Sequence, residues 1–169
     1  MKRILSLALV VLLCLIFPGC SGETEKPRQP VNFYYRRAEL TYGSVDSLIA
    51  PVEAEAAGYE DDTVDLLNTY LRGVGGAGFE PTFPVGTKLL SMGILDGTAH
   101  LQVTSSLARI SGIDLTVACA CLSLTVMELT GAQAVCITAA NETLDGNPSV
   151  TMTMDTLLLL DLYEPEPTR

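Results

Sequence analysis

Two alternating apolar runs in this chain are joined by the dipeptide Asp96-Gly97. Such a pair is the strongest short-range cue for a two-residue hairpin, because both residues tolerate the positive φ that the turn needs. Pairing outward from the turn sets Leu95 against Thr98, Ile94 against Ala99, Met92 against Leu101 and Leu90 against Val103. The last three pairs make one wholly apolar face. The other face carries Ser91, Gly93, Thr98, His100 and Gln102. A slip of one residue would turn every side chain to the opposite face, so the pattern specifies the register. The hairpin therefore needs helices against one face and leaves the other toward water.

The helices are legible on either side. Glu60-Asp61-Asp62-Thr63 opens one, with acids where the positive end of the helix dipole lies. Val64, Leu67 and Leu71 then recur at helical spacing beside Tyr70, and Gly73 is placed to end it. Residues 111–130 form the second. Ser111 and Asp114 resemble a capping pair, and Gly131 can terminate the helix. Ile113, Val117, Ala120, Leu124 and Met127 make one stripe, while Leu115, Ala118, Leu122 and Leu129 cover much of the rest. A helix apolar on most sides is a buried central one.

Strands fill the remaining places. Residues 31–36 alternate and are rich in aromatics, with Val31, Phe33 and Tyr35 facing the core. A weaker second strand falls within 45–52, and a short core strand spans 134–138. Residues 151–162 are either a last strand or a helix started at Asp155. The order β-β-α-β-β-α-β predicts an α+β fold: a single-layer mixed sheet with two helices packed on one face.

The ends are of a different kind. Lys2 and Arg3 precede an apolar run from Ile4 to Phe17. At about 1.5 Å per residue that run covers roughly 21 Å, short of a bilayer core of about 30 Å. Residues 1–19 thus read as a signal peptide. Gly19-Cys20 after such a core resembles the lipobox of bacterial lipoproteins, which implies diacylglycerol on the Cys20 thiol and a lipid-anchored protein on the outer side of a cell membrane. Ordinary signal cleavage and an uncleaved anchor are the alternatives. Residues 20–30 are polar, carry two prolines and read as a flexible tether, and 164–169 as a polar tail. Without Lys2 and Arg3, eight basic residues face 20 acidic ones. Such an acidic body is a poor partner for nucleic acid.

Beyond Cys14 and Cys20 the chain has Cys119, Cys121 and Cys136, an odd number that makes no disulfide framework. Cys119 and Cys121, two apart on a helix, point away from each other and suit neither a mutual disulfide nor a shared metal. They read as buried free thiols, with one disulfide to Cys136 as the alternative.

The segments Phe83-Pro84-Val85-Gly86-Thr87-Lys88-Leu89-Leu90, Asp96-Gly97-Thr98-Ala99-His100-Leu101-Gln102-Val103, Cys121-Leu122-Ser123-Leu124-Thr125-Val126-Met127-Glu128-Leu129 and Gly131-Ala132-Gln133-Ala134-Val135-Cys136-Ile137 follow in an order that resembles the GerMN domain of sporulation and spore-germination lipoproteins. The resemblance covers residues 31–146 and implies one such domain within 31–163. It further implies a Gram-positive envelope and a binding or scaffolding role rather than catalysis.

The residues themselves offer little for an enzyme. His100 is the single histidine, and no Gly-x-Ser-x-Gly accompanies Ser91. Zinc would need more His or Cys ligands at suitable spacing, so no metal or cofactor is expected. Asp61, Asp62 and Asp65 are accounted for by capping. The glycine-rich stretch 73–84 follows a helix and lacks the Lys and Ser/Thr of a phosphate loop, so it reads as a long connection. The expectation is a non-catalytic module held to its membrane through Cys20. It docks with another envelope protein or a wall polymer through the face made by Ser91, His100 and Gln102, or through the edge of the Val31 strand. A small-molecule or wall-polymer binder with a pocket beside the 73–84 loop is the alternative.

Overall fold

The computed structural model describes residues 30–39, 47–55 and 62–158. The expected signal peptide, Cys20 with its tether up to residue 29, and the tail 164–169 lie outside the described residues.

The elements run β1 (Pro30–Arg36), β2 (Ile49–Glu55), α1 (Thr63–Arg72), β3 (Leu89–Leu95), β4 (Thr98–Val103), a short 3-10 turn (Ser105–Arg109), α2 (Gly112–Thr130), β5 (Ala134–Ala139), β6 (Val150–Thr153) and α3 (Met154–Leu158). The class is α+β as expected. The order gains a strand and a short helix at its end: the last segment is both of the forms expected for it, a strand that passes directly into a helix. The weak second strand begins at Ile49, later than its sequence placed it.

The expected single sheet is two sheets. One is the antiparallel pair β1-β2; the other is mixed, ordered β3-β4-β5-β6, with β4 and β5 parallel. The reason lies in α2, which is apolar on most sides and needs cover on more than one. The inner face of the four-stranded sheet, with Ala99, Leu101, Val103, Val135 and Ile137 all buried, supplies one wall. Strand β1 runs along another side of the helix: the Tyr34 N–H donates to Thr125 Oγ1 at 3.0 Å, and the Asn32 amide and the Tyr34 hydroxyl both donate to Glu128. Helix α2 is long and apolar enough to cross a bilayer by length and composition alone, yet 61% of its most apolar window is buried inside this fold. That burial accounts for its composition.

The free edge of β1 is closed without a third strand. Arg36 N–H donates to Thr82 Oγ1 at 3.0 Å, the Arg36 carbonyl accepts Glu80 N–H at 3.1 Å, and the Tyr34 carbonyl accepts the Tyr70 hydroxyl at 2.7 Å. The 73–84 connection is thus packed onto β1. Phe79 lies against Tyr35 and Phe83 against Tyr70, with centroids 6.2 and 5.3 Å apart. From Tyr34 to Arg36 the edge of the Val31 strand, one of the two expected docking surfaces, is therefore occupied by the protein's own hydroxyls and loop.

Helix ends follow local chemistry. Asp62 caps α1 by accepting Asp65 N–H at 2.9 Å, and Gly131 ends α2 in the left-handed region at φ 70°. The Ser111–Asp114 capping pair does not form. Asp145 instead accepts Gly112 N–H at 2.8 Å from across the fold, and Asp114 pairs with Arg36. The Asp145 bond satisfies the first helical N–H and not the Ile113 or Asp114 N–H that a Ser111 cap would take; the Asp114 carboxylate, held by Arg36, does not reach back to Ser111.

Candidate functional site

The hairpin register agrees with the sequence from Leu95↔Thr98 through Ile94↔Ala99 to Met92↔Leu101. Asp96 and Gly97 both have positive φ, 49° and 76°, as the two-residue turn requires. The pair Leu90↔Val103 is not made. A β-bulge between Leu89 and Ser91 brings Leu89 opposite Val103 and turns Leu90 out, half exposed. The bulge is fixed from both sides. Lys88 exchanges bonds with Thr104, while Leu89 N–H donates to Asn68 Oδ1 at 2.8 Å and its carbonyl accepts the Asn68 amide at 3.2 Å.

Strand β3 is an edge strand, so the apolar face is less enclosed than expected. Ala99, Leu101 and Val103 on β4 are buried, but Ile94 on β3 is 53% exposed. It lies near the hairpin tip, away from Leu89 and the Asn68 side chain that anchors it.

Ser91, His100 and Gln102 are all exposed, and they share the sheet face away from α2. The parallel pairing of β4 with β5 widens this face beyond the hairpin. One row across the strands reads Gly93, His100, Cys136, Thr151; a second reads Ser91, Gln102, Thr138; a third reads Leu95, Thr98, Ala134, Thr153. The three rows contain no Asp, Glu, Lys or Arg, on a chain whose formal net charge is −10. Nothing lies within 4 Å of where a Cβ on Gly93 would stand, so the middle of this edge is open.

Cys136, Thr138 and Thr151 were missed as members of the face. The alternation of residues 134–139 could have marked which side chains point out, but the pairing of β5 beside β4 depends on the α2 crossover and has no local signal.

Cys136 is a partly exposed free thiol beside His100 on the neighbouring strand. Cys119 and Cys121 are free as well, so the disulfide alternative is not what the fold contains. Both are fully buried in α2, and burial first of all pushes each thiol up to about 12. They remain protonated and unreactive at neutral pH. Among the described residues no group of three or more His, Cys, Asp or Glu side chains is arranged to hold a metal ion.

No protein-family model matches the chain, and neither does any curated protein. Among solved structures, a candidate lipoprotein from Clostridium perfringens, determined at 2.5 Å, superposes over 76% of this chain and 89% of its own length, with 17% identity and a TM-score of 0.43.

Proposed function

We propose that this protein is a non-catalytic envelope lipoprotein. Lipid on Cys20 holds it to the outer side of a cell membrane, and its uncovered sheet face docks another envelope protein or a wall polymer. The observation that carries the docking role is the charge-free polar face of the four-stranded sheet, centred on His100, on an otherwise acidic chain. A solvated surface of this protein would be expected to carry its share of the 20 acidic residues. A face on which Ser, Thr, Gln and His side chains predominate, with Leu95 exposed at one corner, instead offers hydrogen bonds at small desolvation cost. The resemblance of residues 31–146 to the GerMN domain gives this role its setting, in sporulation, germination or envelope assembly. The membrane attachment rests on the signal-like leader and Gly19-Cys20.

Two measurements test the proposal. Cys20→Ser should move the protein from the membrane fraction to the medium; retention at the membrane would make the apolar leader itself the anchor. A photo-crosslinking amino acid at position 100 or 102 should capture an envelope protein or wall fragment in cells, whereas one at Val85, exposed on the loop before β3, should not. Equal capture at all three positions would remove the face from consideration.

A further inference from the structure

The four-stranded sheet ends at β3, and the hydrogen-bonding groups along that edge can be assigned. The two-residue turn makes Leu95 and Thr98 a hydrogen-bonded pair, so Leu95, Gly93 and Ser91 bond inward to β4 while Ile94 and Met92 point their N–H and C=O groups outward. The outward groups of Leu89 are taken by Asn68. Those of Met92 and Ile94 have no partner among the described residues. Edge strands are usually protected by charge, proline or cover. Between Lys88 and Asp96 this one has no charge and no proline, and Ile94 and Leu95 beside the free groups are 53% and 65% exposed.

We infer that this edge pairs with the same edge of a second copy, antiparallel, about a two-fold axis through Gly93. This goes beyond the docking role of the open face and does not depend on it. Three features select a second copy as the occupant. First, the axis sets Met92 opposite Ile94 of the other copy and Ile94 opposite its Met92, so each unpartnered N–H and C=O meets its complement. Secondly, the free length matches. The side chain of Asn68 on α1 takes the place beside Leu89, and in this register the turn at Asp96-Gly97 ends the strand as it reaches the other copy's Leu89. A longer extended peptide would run into α1. Thirdly, the flanking charges agree. Lys88 and Asp96 are both exposed at opposite ends of an uncharged strip, and antiparallel pairing brings the Asp96 end of one copy to the Lys88 end of the other. Two acidic bodies thereby meet along a strip free of net charge. The two four-stranded sheets become one continuous sheet, with both His100 faces on the same side.

The register makes the test specific. Gly93 falls opposite Gly93, and Ser91 opposite Leu95, as non-hydrogen-bonded pairs about 4.5 Å apart at Cα, within disulfide reach. The open space at Gly93 accommodates a side chain. The full chain carrying Cys136→Ser is expressed in membranes, with that background reporting what Cys14 and Cys20 contribute, and is oxidised with copper phenanthroline. Gly93→Cys should give a covalent dimer as the major species. Ser91→Cys and Leu95→Cys should each stay at background alone and crosslink when the two are co-expressed. Thr151→Cys, exposed on β6 at the far side of the sheet, is the control. A Gly93→Cys dimer no more abundant than the Thr151→Cys one, or a co-expressed pair at background, overturns the inference.

Discussion

Asn68 stands in for a missing strand beside Leu89. Its side-chain amide accepts the Leu89 N–H at 2.8 Å and donates to the Leu89 carbonyl at 3.2 Å, the two bonds that a neighbouring strand would make. Leu89 is only 3% exposed, so its backbone has little access to water once the amide is removed. At about 0.5–1.5 kcal/mol for each net bond, Asn68→Ala should destabilise the fold by about 1–3 kcal/mol. Asn68→Asp should do no better, because a carboxylate oxygen would face the Leu89 carbonyl. Urea midpoints at constant m-value check both. An alanine variant within a few tenths of a kcal/mol of the parent would mean that water replaces the amide.

Gly73 and Tyr35 form a second coupled pair. A Cβ at Gly73 would collide with the Tyr35 hydroxyl, which itself donates to the Tyr70 carbonyl at 3.1 Å. Gly73 has φ −73°, so the requirement for glycine is space and not backbone conformation. Gly73→Ala should cost about 1–3 kcal/mol by overpacking, and Tyr35→Phe about 1 kcal/mol for the lost bond. The double variant should cost less than the sum, because phenylalanine removes the atom that clashes. Additive losses in a double-mutant cycle would place the effect elsewhere.

The parts of this fold that could be read in advance were those specified within about ten residues. The Asp96-Gly97 turn and the alternation beside it gave the hairpin register, and Gly131 marked the end of α2. What could not be read depended on distant partners. Leu90 turns outward because Asn68, 21 residues earlier in the chain, holds Leu89. The Ser111–Asp114 pair does not form because Arg36, 78 residues earlier in the chain, holds the Asp114 carboxylate. The second sheet arises because α2 is apolar on too many sides for one wall, a demand visible in its composition with no local sign of which strands would answer it.

The candidate face divides in the same way. Ser91, His100 and Gln102 were legible as one face of a hairpin. Cys136, Thr138 and Thr151 joined it only through the parallel pairing of β5 with β4, which no residue near either strand encodes. The edge of β1 looked free because its strand pattern says nothing of the Thr82, Thr125 and Tyr70 hydroxyls that close it.

The thiols should separate by reactivity. Cys136 is partly exposed on the sheet face, while Cys119 and Cys121 are fully buried. A thiol reagent added to the native full chain should therefore modify one residue fewer in Cys136→Ser than in the parent. Cys119 and Cys121 should be labelled only when urea unfolds the domain. Labelling of either under native conditions, followed by mass spectrometry of the peptide spanning α2, would show that the helix opens locally well below the global unfolding free energy.

The buried thiols and phenols should lower stability under alkaline conditions. Burial raises the Cys119 and Cys121 thiols from 9.0 to about 12 and the Tyr34 and Tyr35 phenols from 10.0 to about 12, and it pushes Tyr70 upward as well. Each group is neutral when protonated, and each holds its proton more tightly folded than unfolded. The contribution is fully present below pH 9, where both states are protonated. It is lost between about pH 9 and 12, as the unfolded chain ionises and the folded chain does not. Each group that differs between the two states adds a slope of about 1.4 kcal/mol per pH unit. Tyr34 contributes least, because its hydroxyl reaches the surface beside Glu128 and solvent screens it. Urea midpoints should therefore decline from about pH 9 to 11. In a Cys119→Ala, Cys121→Ala double variant the decline should be shallower and begin nearer pH 10, where the tyrosines of the unfolded chain begin to ionise. An unchanged onset in that variant would show that the two thiols do not drive the alkaline loss.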